Sequence, residues 1–173
     1  MSKKVRNILV AVVAVLVLGS CIFMFAISPV SVKKGNREMP DADGQTNELI
    51  SGVVIKQDFN NITDNINEVA IVFSRDYYLE EDTKIIIELL NDSEVLIHSE
   101  FNADDIEGNH RTYLKPASPI SGLVGKDLTL KIITDSTAGT GLSIMCNNSD
   151  NSSKYTYGDN VVNGTLCFSI TGE

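Results

Sequence analysis

Apolar residues fall into two regimes along this chain. Residues 8–27 read ILVAVVAVLVLGSCIFMFAI, with no charge among them, whereas beyond residue 48 apolar and polar positions alternate in short runs. The first pattern predicts a helix, because about twenty residues at 1.5 Å rise each cross a hydrocarbon layer of about 30 Å. Lys3, Lys4 and Arg6 precede the run and Pro29 follows it. The expected organisation is therefore a cytoplasmic stub at 1–7 and a transmembrane helix at 8–28, which proline terminates. Lys33, Lys34 and Arg37 on the far side weaken the charge contrast without reversing it.

Two other readings use the same residues. A cleavable signal peptide has an apolar stretch of about 7 to 15 residues, shorter than this one. Leu18, Gly19, Ser20 and Cys21 have the form of a lipobox, which would make Cys21 a lipidation site, yet residues 22–27 stay apolar where a mature lipoprotein turns polar. Each reading makes the lipid bilayer a partner and places the following domain outside the cytoplasm, at the cell membrane. Residues 29–47 combine Gly, Pro, Asn, Asp and charged side chains without an apolar period, which predicts a flexible linker.

From residue 48 to 173, β-branched runs are separated by clusters of Asn, Asp, Ser and Gly, the alternation of strands and turns. The predicted strands are 49–57, 66–74, 84–90, 94–101, 111–115, 128–134, 141–147 and 165–171. Period-two repeats such as Val69, Ile71, Phe73 and Leu128, Leu130, Ile132 mark the buried faces, because successive side chains of a strand point to opposite sides. Ile85, Ile86 and Ile87 followed by Leu89 and Leu90 are apolar on both faces and predict a central strand. Asn91, Asp92 and Ser93 predict a tight turn joining it to the next. Residues 102–108 read as a helical turn capped by Asn102, with Asp104 and Asp105 at its positive end. About eight antiparallel strands bury one side each most readily as two packed sheets, so the expected fold is all-β, a jelly-roll-like β-sandwich; a barrel accounts for the same pattern.

Charge narrows the partners. The formal net charge is −9, but residues 1–47 carry six Lys or Arg and three acids, leaving eight and twenty for the rest, a net −12 on the domain. Such a surface repels phosphate backbones, which excludes nucleic acid as a partner. No GxSxG, HExxH, P-loop, GxGxxG or CxxC motif is present, so the reading is a non-enzymatic one with no catalytic residues assigned. His98 and His110 are the only histidines and read as surface residues. The run Glu80, Glu81, Asp82 and the cluster Asn147, Asn148, Asp150, Asn151 read first as solvated loops; Asp150 and Asn148 are the candidate ligands if a structural calcium is held. No other cofactor is expected. Trp is absent and Tyr supplies the available ring faces, so the candidate carbohydrate-binding set is Arg75, Asp76, Tyr78, Tyr155 and Tyr157, where loop ends bring together aromatic and polar groups. Cys146 and Cys167 fall in the last two predicted strands; they read either as a disulfide or as two small buried side chains.

The layout resembles the jelly-roll, carbohydrate-binding-module-like ectodomains found in integral membrane proteins of Gram-positive bacteria. The elements that carry the likeness are Gln57-x-Phe59 ahead of a strand, the strand-turn-strand of 84–101, the acidic turn at 104–108, and Tyr155, Gly158, Asn163, Gly164 and Leu166 near the end. Residues 57–172 are covered; the glycine expected near 78–81 is missing. The resemblance implies a carbohydrate class of ligand, and a structural ion is common in such folds. Two functions compete: a module that binds an envelope glycan, and an accessory or scaffold subunit that binds protein partners in a membrane assembly.

Overall fold

The computed structural model describes residues 36–77, 83–136 and 139–172. The expected transmembrane helix at 8–28, Cys21 and Tyr78 lie outside these residues. Among the described residues no helix is long and apolar enough to cross a membrane. In chain order the strands are β1 (Gly44–Gln45), β2 (Ile55–Asn60), β3 (Asn65–Ile66), β4 (Glu68–Arg75), β5 (Lys84–Asn91), β6 (Glu94–Asn102) and β7 (Arg111–Leu114). They continue as β8 (Ile120–Ser121), β9 (Asp127–Thr134), β10 (Leu142–Asn147), β11 (Lys154–Tyr157), β12 (Asn160–Asn163), β13 (Thr165–Leu166) and β14 (Phe168–Thr171).

All pairings are antiparallel. One six-stranded sheet runs β12-β11-β2-β9-β5-β6; the other joins β1, β10, β4 and β14 in that order, with β13 beside β10 and β7 beside β4. The chain alternates between the sheets, passing from β2 to β4, to β5 and β6, to β7, to β9, to β10, to β11 and β12, and back to β13 and β14. Leu49, Ile55, Val69, Ile71, Phe73, Ile85, Ile87, Leu89, Leu128, Leu130, Ile132 and Phe168 from both sheets share one buried core. The architecture is thus all-β and sandwich-like.

The apolar run in β5 has the consequence its pattern predicts. Ile85, Ile87 and Leu89 are fully buried, Ile86 and Leu90 are half-buried, and the strand is paired on both edges, by β9 and by β6. The β5–β6 hairpin closes through Asp92 and Ser93, with Asp92 at φ 53°, a conformation that Asp tolerates through its short polar side chain.

Several boundaries differ from the expectation. The strand expected at 49–57 begins only at Ile55, because Ser51 and Gly52 turn the chain, Gly52 at φ 79°. The strand expected at 165–171 is split at Cys167, where the chain leaves β10 for β4: Cys167 N donates to Met145 O, and Val72 N donates to Cys167 O. β11 and β12 form a hairpin that the sequence pattern does not predict. The Gly158-Asp159 pair that closes it, with Gly158 at φ 58°, is a turn signal between alternating runs. The 102–108 segment holds a single 3-10 turn at Ala103–Asp105, and Asn102 makes no side-chain cap.

Residues 36–47 are not a free tether. Arg37 exchanges backbone hydrogen bonds with Ile170, Thr46 N donates to Ile144 O, and β1 pairs with β10. The segment lacks an apolar period because it is held by backbone groups and not by a buried face, so the domain starts upstream of the expected residue 48.

The two sheets are joined by a polar contact inside the apolar layer. Gln57 Nε2 donates to Thr165 Oγ1 at 2.8 Å, and Gln57 Oε1 accepts Leu166 N–H at 2.7 Å, both buried. Two residues along the same face, Phe59 meets Phe168 edge to face at 5.0 Å between centroids. The Arg37 guanidinium lies 4.2 Å from the Phe168 centroid and donates to Thr165 Oγ1 at 3.2 Å. Burial pulls its pKa below the usual guanidinium value, with the Asp150 carboxylate opposing that shift. Replacing Gln57 by Leu leaves the Leu166 N–H without its partner, a loss of about 1–3 kcal/mol. Urea unfolding of Gln57→Leu is therefore expected to show a lower midpoint at unchanged slope; an unaltered midpoint would contradict the bridging role.

Candidate functional site

One concavity lies where the edges of the two sheets approach one another. It is a groove of about 370 Å³ lined by Gln45, Thr46, Asn47, Asn148, Tyr155, Tyr157, Val162 and Asn163. β1 and the turn after β10 supply one wall, β11 and β12 the other. Alternation along β11 puts Tyr155 and Tyr157 on one face and Lys154 and Thr156 on the other. Thr46 fixes the first wall: its hydroxyl accepts Ile144 N–H at 3.0 Å and donates to Asn47 O at 2.8 Å.

Both tyrosine hydroxyls are engaged within the protein. Tyr157 Oη donates to Glu48 O at 2.5 Å. Tyr155 is only 5% exposed, forms the floor, and its hydroxyl meets Cys146 Sγ at 3.9 Å. Burial first, and then Cys146, push the Tyr155 pKa up to about 12. The half-buried Tyr157 and Val162 thus offer ring and methyl surface, while the polar lining consists of Thr46 and the side chains of Gln45, Asn47, Asn148 and Asn163.

Glu48 ties this groove to the end of β4. Its Oε1 accepts Tyr77 O–H at 2.5 Å, Gly141 N–H at 2.7 Å and Thr140 N–H at 2.9 Å. Desolvation acts to raise its pKa, but the bonds from Tyr77, Gly141 and Thr140 outweigh it and hold the carboxyl below its usual value. Gly141, at φ 65°, has no room for a Cβ against the Tyr77 backbone.

Of the residues expected to bind sugar, Tyr155 and Tyr157 fall together in the groove and Arg75 falls elsewhere. The Arg75 side chain is 4% exposed; it donates to Ile106 O at 2.9 Å, to Tyr77 O at 3.1 Å and to Ala103 O, and lies 3.5 Å from Asp104. It pins the 103–106 turn and has no free edge for a ligand. Asp76 is exposed at the end of β4 and does not line the groove. Gln45, Thr46 and Asn47 went unread because they sit in the segment taken for a linker, where no side-chain period marks them.

The candidate calcium ligands are engaged with protein donors. Asp150 Oδ1 accepts Ser152 N–H at 2.9 Å and Ser152 O–H at 2.5 Å, and these bonds lower its pKa. Asn148 Oδ1 accepts the Cys146 thiol at 3.3 Å. Across the same turn Asp43 accepts Asn148 N–H at 2.6 Å, Ser149 N–H at 3.1 Å and the Ser149 hydroxyl. Among the described residues no three His, Cys, Asp or Glu side chains converge on a point. His98 lies on the outer face of its sheet between Glu88 at 3.1 Å and Glu100 at 3.4 Å, which raise its pKa in that order.

A second depression, of about 420 Å³, is lined by Gly52, Val54, Lys56, Thr156, Gly158 and Asp159 and has no aromatic ring. No protein-family model matches the chain, and no curated protein matches it.

Cys146 and Cys167 are both buried free thiols, not a disulfide. Cys146 is opposite Leu166 in the β10–β13 register, and the Cys167 N–H bonds Met145 O. The two cysteines therefore follow neighbours on opposite faces of the sheet. Burial, then Cys146, raise the Cys167 pKa to about 11. A Cys21→Ser chain denatured without reductant is expected to yield two titratable thiols, and almost none while folded; none after denaturation would show that a bond had formed.

Proposed function

We propose that the chain is a membrane-anchored, extracytoplasmic binding module whose jelly-roll domain holds a cell-envelope carbohydrate in the groove between β1 and β12. The observation that carries this reading is the groove's lining: four side-chain amides beside a half-buried tyrosine ring. Such a combination suits sugars, whose hydroxyls take planar polar partners and whose C–H faces take aromatic surface. The uncharged run at 8–27 supports the anchor, and the strand-by-strand alternation between sheets supports the jelly-roll reading. The lining contains no carboxylate, imidazole or thiol to move a proton, which favours binding over hydrolysis.

Retention of the full chain, in detergent, on immobilised envelope polysaccharide tests the proposal. Wild type should be retained, and Asn47→Ala and Tyr157→Ala should each weaken binding roughly tenfold, about 1.4 kcal/mol. Variants retained like wild type would remove the groove from the account. A chain that ignores polysaccharide, yet loses its function when 8–28 is replaced by an unrelated apolar helix, would be an accessory subunit of a membrane protein assembly.

A further inference from the structure

Anionic glycopolymers and neutral polysaccharides both occur as envelope carbohydrates, and the two differ in what a binding site must supply. A phosphate or carboxylate needs cationic side chains or unfilled backbone N–H groups, because an anion moved out of water without partners is strongly disfavoured. A neutral hydroxyl both donates and accepts, which matches a carboxamide with its two donors and its carbonyl oxygen.

Every side chain lining the groove is uncharged, on a domain whose residues 36–173 carry nine Lys or Arg and twenty-three acids, a formal charge of −14. Neighbouring cations among the described residues are turned away or engaged. Lys154 alternates with Tyr155 and so belongs to the opposite face of β11, as does Lys56, which pairs with Thr156. The Arg37 guanidinium is stacked on Phe168 and bonded to Thr165. At the rim, the turn N–H groups of Asn148 and Ser149 could receive an anion, and the protein's own Asp43 carboxylate fills them. The Asp43 carboxylate, held on the Asn148 and Ser149 N–H groups, and Glu48 and Asp150, one and two positions from the lining residues Asn47 and Asn148, give the local field the sign of the domain.

We infer that the groove is selective for neutral, hydroxyl-rich saccharides and rejects phosphate-bearing or uronate-bearing polymers. The inference rests on the carbohydrate-binding reading and names the class of sugar within it. The Tyr157 ring and Val162 take the ligand's C–H face, and the amides of Gln45, Asn47 and Asn148 take its hydroxyls.

The test is calorimetric titration of the full chain in uncharged detergent with neutral glucose, galactose and N-acetylglucosamine oligomers, and in parallel with poly(glycerol phosphate) and a polyuronate, at low and at physiological salt. At least one neutral oligomer should bind ten times or more tighter than either anionic polymer, with little salt dependence. Asn47→Lys should narrow that ratio by giving the anionic polymers a partner at the rim. Equal or tighter binding of an anionic polymer by wild type would overturn the neutral selectivity while leaving carbohydrate binding in place. Silence toward every polymer would overturn the carbohydrate reading itself, and the selectivity with it.

Discussion

Gln57 carries a carboxamide into the apolar layer between two sheets, where an unpaired polar group would cost more than its side chain gains by packing. It is satisfied from one place only, the Thr165 hydroxyl and the Leu166 N–H of the opposite sheet. That requirement sets how the sheets meet. β2 carries β11 as its neighbour, and β13 is paired to β10. One wall of the groove is therefore built outward from Gln57, and the other from its partners. Phe59 and Phe168 add area two positions along, and Arg37 closes the edge by stacking on Phe168 while sharing the Thr165 hydroxyl. Side-chain amides reach the groove from segments more than a hundred residues apart because this buried junction holds both sides in register.

Much of the fold was legible. Strands with a strong period, such as Val69, Ile71, Phe73 in β4 and Leu128, Leu130, Ile132 in β9, put those residues in the core as expected. The double-sided run in β5 located a strand paired on both edges. Elements held by other means escaped the pattern. β1 and the residues after it are fastened by backbone bonds to β10, which leave no mark on side-chain periodicity. β12 is a short exposed edge strand with Val161 66% exposed, so it offers no buried face to read.

The site was legible in part for the same reasons. Tyr155 and Tyr157 belong to the expected sugar-binding set, but they share a face because they lie two apart on β11, a strand the sequence pattern does not predict, and that pair is where the groove lies. Arg75 was misplaced because a cation at a strand end can reach solvent or turn inward to carbonyls, and sequence does not say which; the 103–106 turn, thirty residues on, decides it. The two cysteines looked pairable from adjacent strands, but the partner change at Cys167 puts them in register with residues of opposite faces. Asp43 and Asn148 show a related limit: the carboxylate that closes the turn comes from the segment read as linker.

The account's central claim is that the amide-lined groove is where a saccharide sits. Side-chain amide NMR of the full chain in micelles, titrated with the tightest-binding neutral oligosaccharide, tests it most directly. The largest changes are predicted at the NH₂ groups of Gln45, Asn47 and Asn148, with the Gln57 NH₂ unmoved at the sheet junction. Changes centred on Lys56, Thr156 and Asp159, or none at the groove amides under saturating ligand, would contradict it.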